Sequence, residues 1–376
     1  MDRRDFIAYG TTAALAAAFA KTQFDSEADA QGVAQFFELH MEEIYEELID
    51  GEVVFALAFR DPVTRALRPT LRMNHNATPV TIKLVNKTRK ARRFAITGFP
   101  ADKFPSIPAG ATTTISFLAP TAGSYIYYDN SEGAMSRVVG LHGAMVVKVG
   151  NCRTPNGAYT PYHANKLTPE VAALFDALGT HAEFPGQPWR HNVPARDIVW
   201  LMSQVDPAIN RFAERGETVD LSLPIYRFRP RYFTLNGLSG YDAAHDPATV
   251  PKGYLGEPVL IRTMNAGIAT HAPHIHGNHV FCVSDSYGSD GKIYCSSNVY
   301  ELDTWVVRPL ERIDVILPFK KPDEIPPAAW PPKQEPFPLL YPMHCHCEMS
   351  QTAGGGNYPQ GLVTHWELLG VNRPLV

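Results

Sequence analysis

The chain has 376 residues, enough for two domains of ordinary size with ample core. Its 34 basic residues against 38 acidic ones give a formal charge of -4, which speaks against nucleic acid or an anionic membrane surface as partner. Thirty-two prolines and 27 glycines, set among runs of Val, Ile, Thr and Tyr, speak against a helical bundle and predict an all-β protein of strands broken by turns.

Residues 1–35 read as a twin-arginine export signal and a disordered leader. The pair Arg3-Arg4 precedes an alanine-rich run from Ala8 to Ala20 that ends in a small-x-small cleavage pattern. That run is too short and too rich in small residues to span a membrane. The signal predicts export to the periplasm by a route that carries folded proteins.

A first domain is expected over 36–150. Phe36 onward and Val53–Phe59 read as paired strands around an Asp50-Gly51 turn. Val80–Asn86 alternates as a half-buried strand does. Phe94–Gly98, Thr112–Leu118, Gly123–Tyr128 and Leu141–Lys148 complete a set suited to a Greek-key β-sandwich. His142 lies on the closing strand and reads as structural.

Residues 151–196 read as an interdomain connection with one helix over Thr168–Leu178, opened by Thr-Pro-Glu. A second sandwich follows over 197–376, with strands at Ile198–Met202, Tyr232–Ser239, Pro258–Met264, His279–Val283, Ile293–Cys295, Tyr300–Val307, Arg312–Leu317 and Gly361–Leu368. Five cysteines leave at least one outside any internal disulfide set, and Cys345 is the candidate. Cys282 and Cys295 flank a turn-rich segment and are placed to pair across a hairpin in an exported chain.

Two segments of the second domain carry chemistry: His271-Ala-Pro-His-Ile-His-Gly-Asn-His279 and Tyr341-Pro-Met-His-Cys-His-Cys-Glu-Met349. As strands, the first puts His274 and His276 on one face and His271 on the other. The second puts His344 and His346 on one face and Cys345 on the other. Side by side they present four imidazoles on one surface, with a thiol and an imidazole on the reverse. Imidazole suits copper, zinc, iron and nickel, and a neighbouring thiolate favours copper or zinc. His279 reads as a core residue or one that orients a ligand.

These residues resemble the multicopper oxidase family across both domains, so that two cupredoxin-like Greek-key sandwiches are implied. The resemblance rests on Phe233-Thr-Leu-Asn-Gly237, Asn265, the spacing of His271, His274 and His276 before Gly277, Asp303-Thr-Trp-Val-Val-Arg-Pro309, and Pro342-Met-His344-Cys345-His346. It implies copper as cofactor. His271 and Cys345 would be type 1 ligands, His274 a type 2 ligand, and His276, His344 and His346 type 3 ligands. Electrons from a small-molecule reductant or a redox protein would pass through Cys345 and its flanking histidines to dioxygen, and two-domain members assemble as homotrimers.

The chain departs from that pattern in both domains. Where the family's first domain supplies histidines, Ala95, Thr97, Tyr128 and Asn130 stand. The second type 1 histidine is replaced by Ser350, before a Gly354-Gly355-Gly356 loop expected to shape the copper site, and Leu362 aligns with the axial position. Cys347, two residues beyond Cys345, opens a dithiolate or disulfide alternative. Glu348 and Asp303 are placed to deliver protons or to orient an imidazole. Three readings follow: a copper-dependent oxidoreductase with a reduced ligand set, a periplasmic copper-binding protein without turnover, and a zinc-binding or structural cupredoxin pair.

Overall fold

A computed structural model describes residues 35–374 apart from 77, 151, 191–192, 226, 287–293 and 296–298. The predicted export signal lies outside the described residues. So does the side chain of Cys295, and with it the expected pairing to Cys282.

The first sandwich uses β1 (Gln35–Glu47), β2 (Val53–Arg60), β3 (Leu71–Asn74), β4 (Val80–Asn86), β5 (Arg92–Ile96), β6 (Ser106–Ile107), β7 (Thr112–Phe117), β8 (Gly123–Asp129) and β9 (His142–Lys148). One sheet runs β2-β1-β4-β7 and the other β3-β9-β8-β5-β6. In β4 the alternation sends Val80, Ile82, Leu84 and Asn86 inward. Asn86 is tolerated there because its amide donates to the carbonyls of Lys90 and Ile107, at 2.8 and 2.9 Å. Phe94 stacks on Tyr127 in the same core, with ring centroids 5.7 Å apart. β3 alternates over only four residues, too short a run to stand out in the sequence.

The second sandwich uses β10 (Asp197–Val205), β11 (Tyr232–Leu235), β12 (Lys252–Gly253), β13 (Val259–Asn265), β14 (Pro273–Ile275), β15 (Val280–Ser286), β16 (Tyr294–Cys295), β17 (Glu301–Leu302), β18 (Arg312–Leu317), β19 (Leu339–Cys345) and β20 (Val363–Leu368). One sheet runs β11-β10-β13-β18-β15-β16, with β17 also on β15, and the other runs β12-β20-β19-β14. Stacked Trp200 and Trp305 and buried Met343, Cys345, Leu362 and Trp366 share the core between them. Tyr300–Val307, expected as one strand, pairs with β15 only over β17. It then crosses to the other sheet, bridging His274 through Thr304 and His271 through Val307.

Short helices punctuate the sheets: α1 (Met135–Val138), α2 (Pro169–Ala177), α3 (Pro207–Glu214) and α4 (Gly240–His245). The hydroxyl of Thr168 accepts from the amide of Val171 and caps α2, where the connection was expected to be helical. Asp206 caps α3 in the same way, by accepting from the amide of Ala208. That helix follows an Asp-Pro signal of the same kind, which the strand pattern on either side obscures. The connection is no loose linker, since Leu174, Phe175 and Trp189 pack on Leu260, Val283 and Ile316 of the second domain.

The domains meet on a dry seam. Ala95, Ile126, Tyr128, Ala144 and Val146 of the first pack against Val199, Leu201, Met264 and Ala266 of the second. Beside it Arg262 binds Asp197 at 2.7 Å and Asp314 at 3.1 Å, all fully buried. Burial penalises the Asp197 carboxylate, yet the Arg262 and Arg72 guanidiniums hold it well below the usual range.

Candidate metal centre

β14 lies antiparallel to β19 in a register that sets His274 opposite His344 and Pro273 opposite Cys345. Side chains alternate along β19, so this pairing stacks the imidazoles on the outer face and turns the thiol into the core. Gly277, at φ +75, ends the β14 segment beside the Tyr341 ring, where an added Cβ would fall 2.3 Å from the ring. Only glycine lets the chain turn there and keep His276 against β19.

On the outer face, one nitrogen from each of His274, His276 and His344 lies within 4.8 Å of the other two. The His274 Nδ1–H donates to the carbonyl of Asp303 at 3.0 Å and meets the Thr304 hydroxyl at 2.9 Å. The Nδ1–H of His344 faces the carbonyl of Cys345 at 3.4 Å. With Nδ1 protonated and held, each ring offers the lone pair of Nε2, the arrangement in which imidazole ligates metal. Nε2 of His276 and Nε2 of His344 are 3.1 Å apart, so one carries a proton that an ion bound by both would replace. Partial burial lowers the pKa of His274 and of His344, with the neighbouring imidazoles adding to it. His346 is exposed and its ring centroid lies 4.7 Å from that of His274. It flanks the trio without joining the tight nitrogen group.

Asp303 keeps its side chain half exposed, with a carboxylate oxygen 3.7 Å from His274 Nδ1. Glu348 opens an exposed turn over Glu348–Gln351, and no hydrogen bond or ion pair of its side chain occurs among the described residues. His279 sits at the surface, paired with Asp323 at 3.4 Å, and is neither core nor an orienting group of the trio. His142 is fully buried with Nδ1 on the carbonyl of Arg137, and burial pushes its pKa down to about 3.

The reverse side of β19 is closed. Cys345 and His271 are both fully buried, and Sγ lies 3.6 Å from His271 Nδ1. The sulfur also accepts from the amide of Ala272 at 3.2 Å. Burial lowers the pKa of His271 to about 4. Its Nε2 meets the amide nitrogen of Gln204, a residue the sequence reading missed. Its one signal was a carboxamide buried at the end of β10, just past the apolar run Ile198–Met202. Ser350 turns its hydroxyl to the carbonyl of Cys347, and Leu362 is buried beside Cys345. The Cys347 thiol lies next to Cys345 and faces the carbonyl of Thr270 at 3.6 Å. Burial and the neighbouring thiol push its pKa up to about 11. The glycine loop packs elsewhere than expected: Gly354 takes Arg231 on its carbonyl and lies against Asp50 of the first domain.

The donors therefore fit a transition ion on the outer face, where imidazole nitrogens converge. They do not fit blue copper on the reverse, where, among the described residues, one imidazole and one thiol stand without a second imidazole. Ala95 and Tyr128, cross-strand partners in the first domain, are buried in the interdomain seam on β10 and β13. Those strands belong to the sheet opposite the one that carries the histidines.

Comparison with protein-family models and with curated protein sequences gave no match. Among solved structures, the chain is similar to a blue copper oxidase from Nitrosomonas europaea, with TM-score 0.63 and 19% identity over 89% of this chain and 86% of that one. It is similar to the multicopper oxidase mgLAC, with TM-score 0.60 and 20% identity over 92% and 88%. The copper nitrite reductase from Nitrosomonas europaea aligns with TM-score 0.53 and 14% identity over 89% and 94%. The chain thus has the two-domain cupredoxin fold found in multicopper oxidases and copper nitrite reductases.

Proposed function

We propose that this chain is a copper-dependent oxidoreductase, exported to the periplasm, whose metal is held on the outer face of β14 and β19. The observation that carries this reading is the convergence of His274, His276 and His344 nitrogens within 4.8 Å of one another. Copper bound there supplies one-electron chemistry between Cu(I) and Cu(II). The residues' part is to hold and orient: Asp303 and Thr304 keep the His274 Nδ1 proton in place so that Nε2 faces the ion. The Asp303 carboxylate, exposed and 3.7 Å from that nitrogen, is the group placed to carry protons to and from the face. The reductant is a small molecule or a redox protein, and dioxygen is the acceptor.

Assembly as a homotrimer is part of this reading, and the exposed His276 leaves the face accessible to a second copy. Transfer of electrons along His344-Cys345-His346 is the finer reading. It is supported by the short covalent path from the buried thiol to the two imidazoles, and it requires a redox centre at the thiol end. The incomplete donor set at that end favours a second reading, a periplasmic copper-binding protein without turnover.

The test is metal analysis of the protein purified from the periplasm, followed by oxygen uptake with a small reductant. Stoichiometric copper with oxygen uptake supports the oxidoreductase, and copper without uptake supports the second reading. Zinc alone, or no metal, defeats both. Light scattering of the purified protein tests the trimer.

A further inference from the structure

Gln204, 1% exposed, sits in a network that leaves its carboxamide one orientation. Its oxygen accepts from the amides of Ile268 at 2.9 Å and Ala269 at 3.1 Å. Its nitrogen therefore carries the donors, one reaching the Asn265 oxygen at 3.5 Å and the other meeting His271 Nε2. Asn265 is itself fixed. Its nitrogen donates to the carbonyls of Ala269 and Val307, at 2.8 and 3.0 Å, and its oxygen accepts from the amide of Gly267 at 2.9 Å. Turning the Gln204 amide over would set its NH2 against two backbone N–H donors and its oxygen against the Asn265 oxygen. The fit is close, because a Cβ added at Gly267 would fall 1.9 Å from the Gln204 oxygen.

A ring nitrogen that faces an N–H donor must present its lone pair. We infer that Gln204 fixes His271 as the Nδ1–H tautomer, so that His271 donates to Cys345 and the two form a hydrogen-bonded thiol–imidazole pair in place of a blue-copper site. Ligation through Nδ1 would move that proton to Nε2, where it would point at the Gln204 NH2 group. Neither the amide nor the ring can yield without losing bonds made to Ile268, Ala269 and Asn265. Gln204 is thus a positioning residue that decides which element His271 serves. Electron entry through a thiolate-bound copper is closed in this chain, and electrons reach any metal on the outer face from that face. The inference concerns the buried side of β19 and holds with or without copper on the outer face, and where it holds it removes the route along His344-Cys345-His346 from the proposed function while leaving the outer-face metal untouched.

The test uses the full chain. Histidine labelled with 13C and 15N, assigned by comparison with His271→Gln, reports the tautomer through its ring shifts. The Nδ1–H form is expected, and the Nε2–H form overturns the inference. Cobalt(II), which does not oxidise thiols, is added to the Cys347→Ser, His276→Ala, His344→Ala background. No thiolate-to-cobalt charge-transfer band is expected, and its appearance overturns the inference. In Gln204→Glu one carboxylate oxygen keeps the Ile268 and Ala269 amides while the other accepts from Nε2–H. The tautomer is therefore expected to switch, and a folded variant that retains Nδ1–H overturns the role given to Gln204. If that variant does not fold, the wild-type tautomer and the cobalt titration decide.

Discussion

Both sides of β19 carry histidine, the inner one beside a thiol, and they differ in what their neighbours leave free. On the outer side, His274 and His344 spend Nδ1 on carbonyls and present Nε2, and His276 meets His344 at hydrogen-bond distance. On the inner side, both nitrogens of His271 and the sulfur of Cys345 are engaged in protein hydrogen bonds. The difference teaches that ligand capacity belongs to the lone pair and the groups around it rather than to the residue type.

The largest expected effect separates the two sides outright. Removing two imidazoles in His276→Ala/His344→Ala should weaken copper binding roughly a thousandfold or more, about 4 kcal/mol, in a competition titration. Cys345→Ser should leave the same affinity within about threefold, and an equal loss there would merge the two sides into one site.

Acid should unfold the inner side while it discharges metal from the outer one. His271 has a folded pKa of about 4 against an ordinary 6.5, so the unfolded chain binds the extra proton first. Its contribution to stability is complete above 6.5 and declines as pH falls towards 4. The cost of going from pH 7 to 4 is about 3 kcal/mol. Thermal melts of the metal-free protein across that window should show the decline, and His271→Gln should flatten it.

Smaller effects sharpen the picture of the outer face. Thr304→Val removes one partner of His274 Nδ1 and leaves the Asp303 carbonyl, so copper affinity should fall about tenfold. Glu348→Gln, on an exposed turn, should alter affinity and stability by less than about twofold. A larger change in oxygen uptake at unchanged affinity would give Glu348 a part in proton delivery.

The sequence made the outer face legible because period-two alternation needs only local spacing. His344, Cys345 and His346 sort themselves by face, and the register of β14 on β19 adds His274 and His276. What lay hidden depends on contacts distant in the chain. Gln204 is 67 residues from His271 and lies beside Ser203 at the polar end of β10, past the apolar run Ile198–Met202. Thr304 lies in a segment expected as a strand that instead crosses between sheets. Alternation revealed most strands of both sandwiches, while β3 and α3 were lost because short elements leave few periods to count. His279 was misjudged because its partner Asp323 follows 44 positions later, past four strands.

The doubly covered strands β10 and β13 have a consequence for how the molecule holds together. Each is sheltered on one flank by its own sandwich and on the other by its neighbour, with Arg262 neutralised between Asp197 and Asp314. Prising the halves apart would wet an oily strip and, in the same event, break the bonds that Arg72 and Ser124 of the first half make to Asp197 and Asp314. The chain should therefore melt as one cooperative block, and a piece beginning at residue 197 would expose a sticky flank prone to self-association.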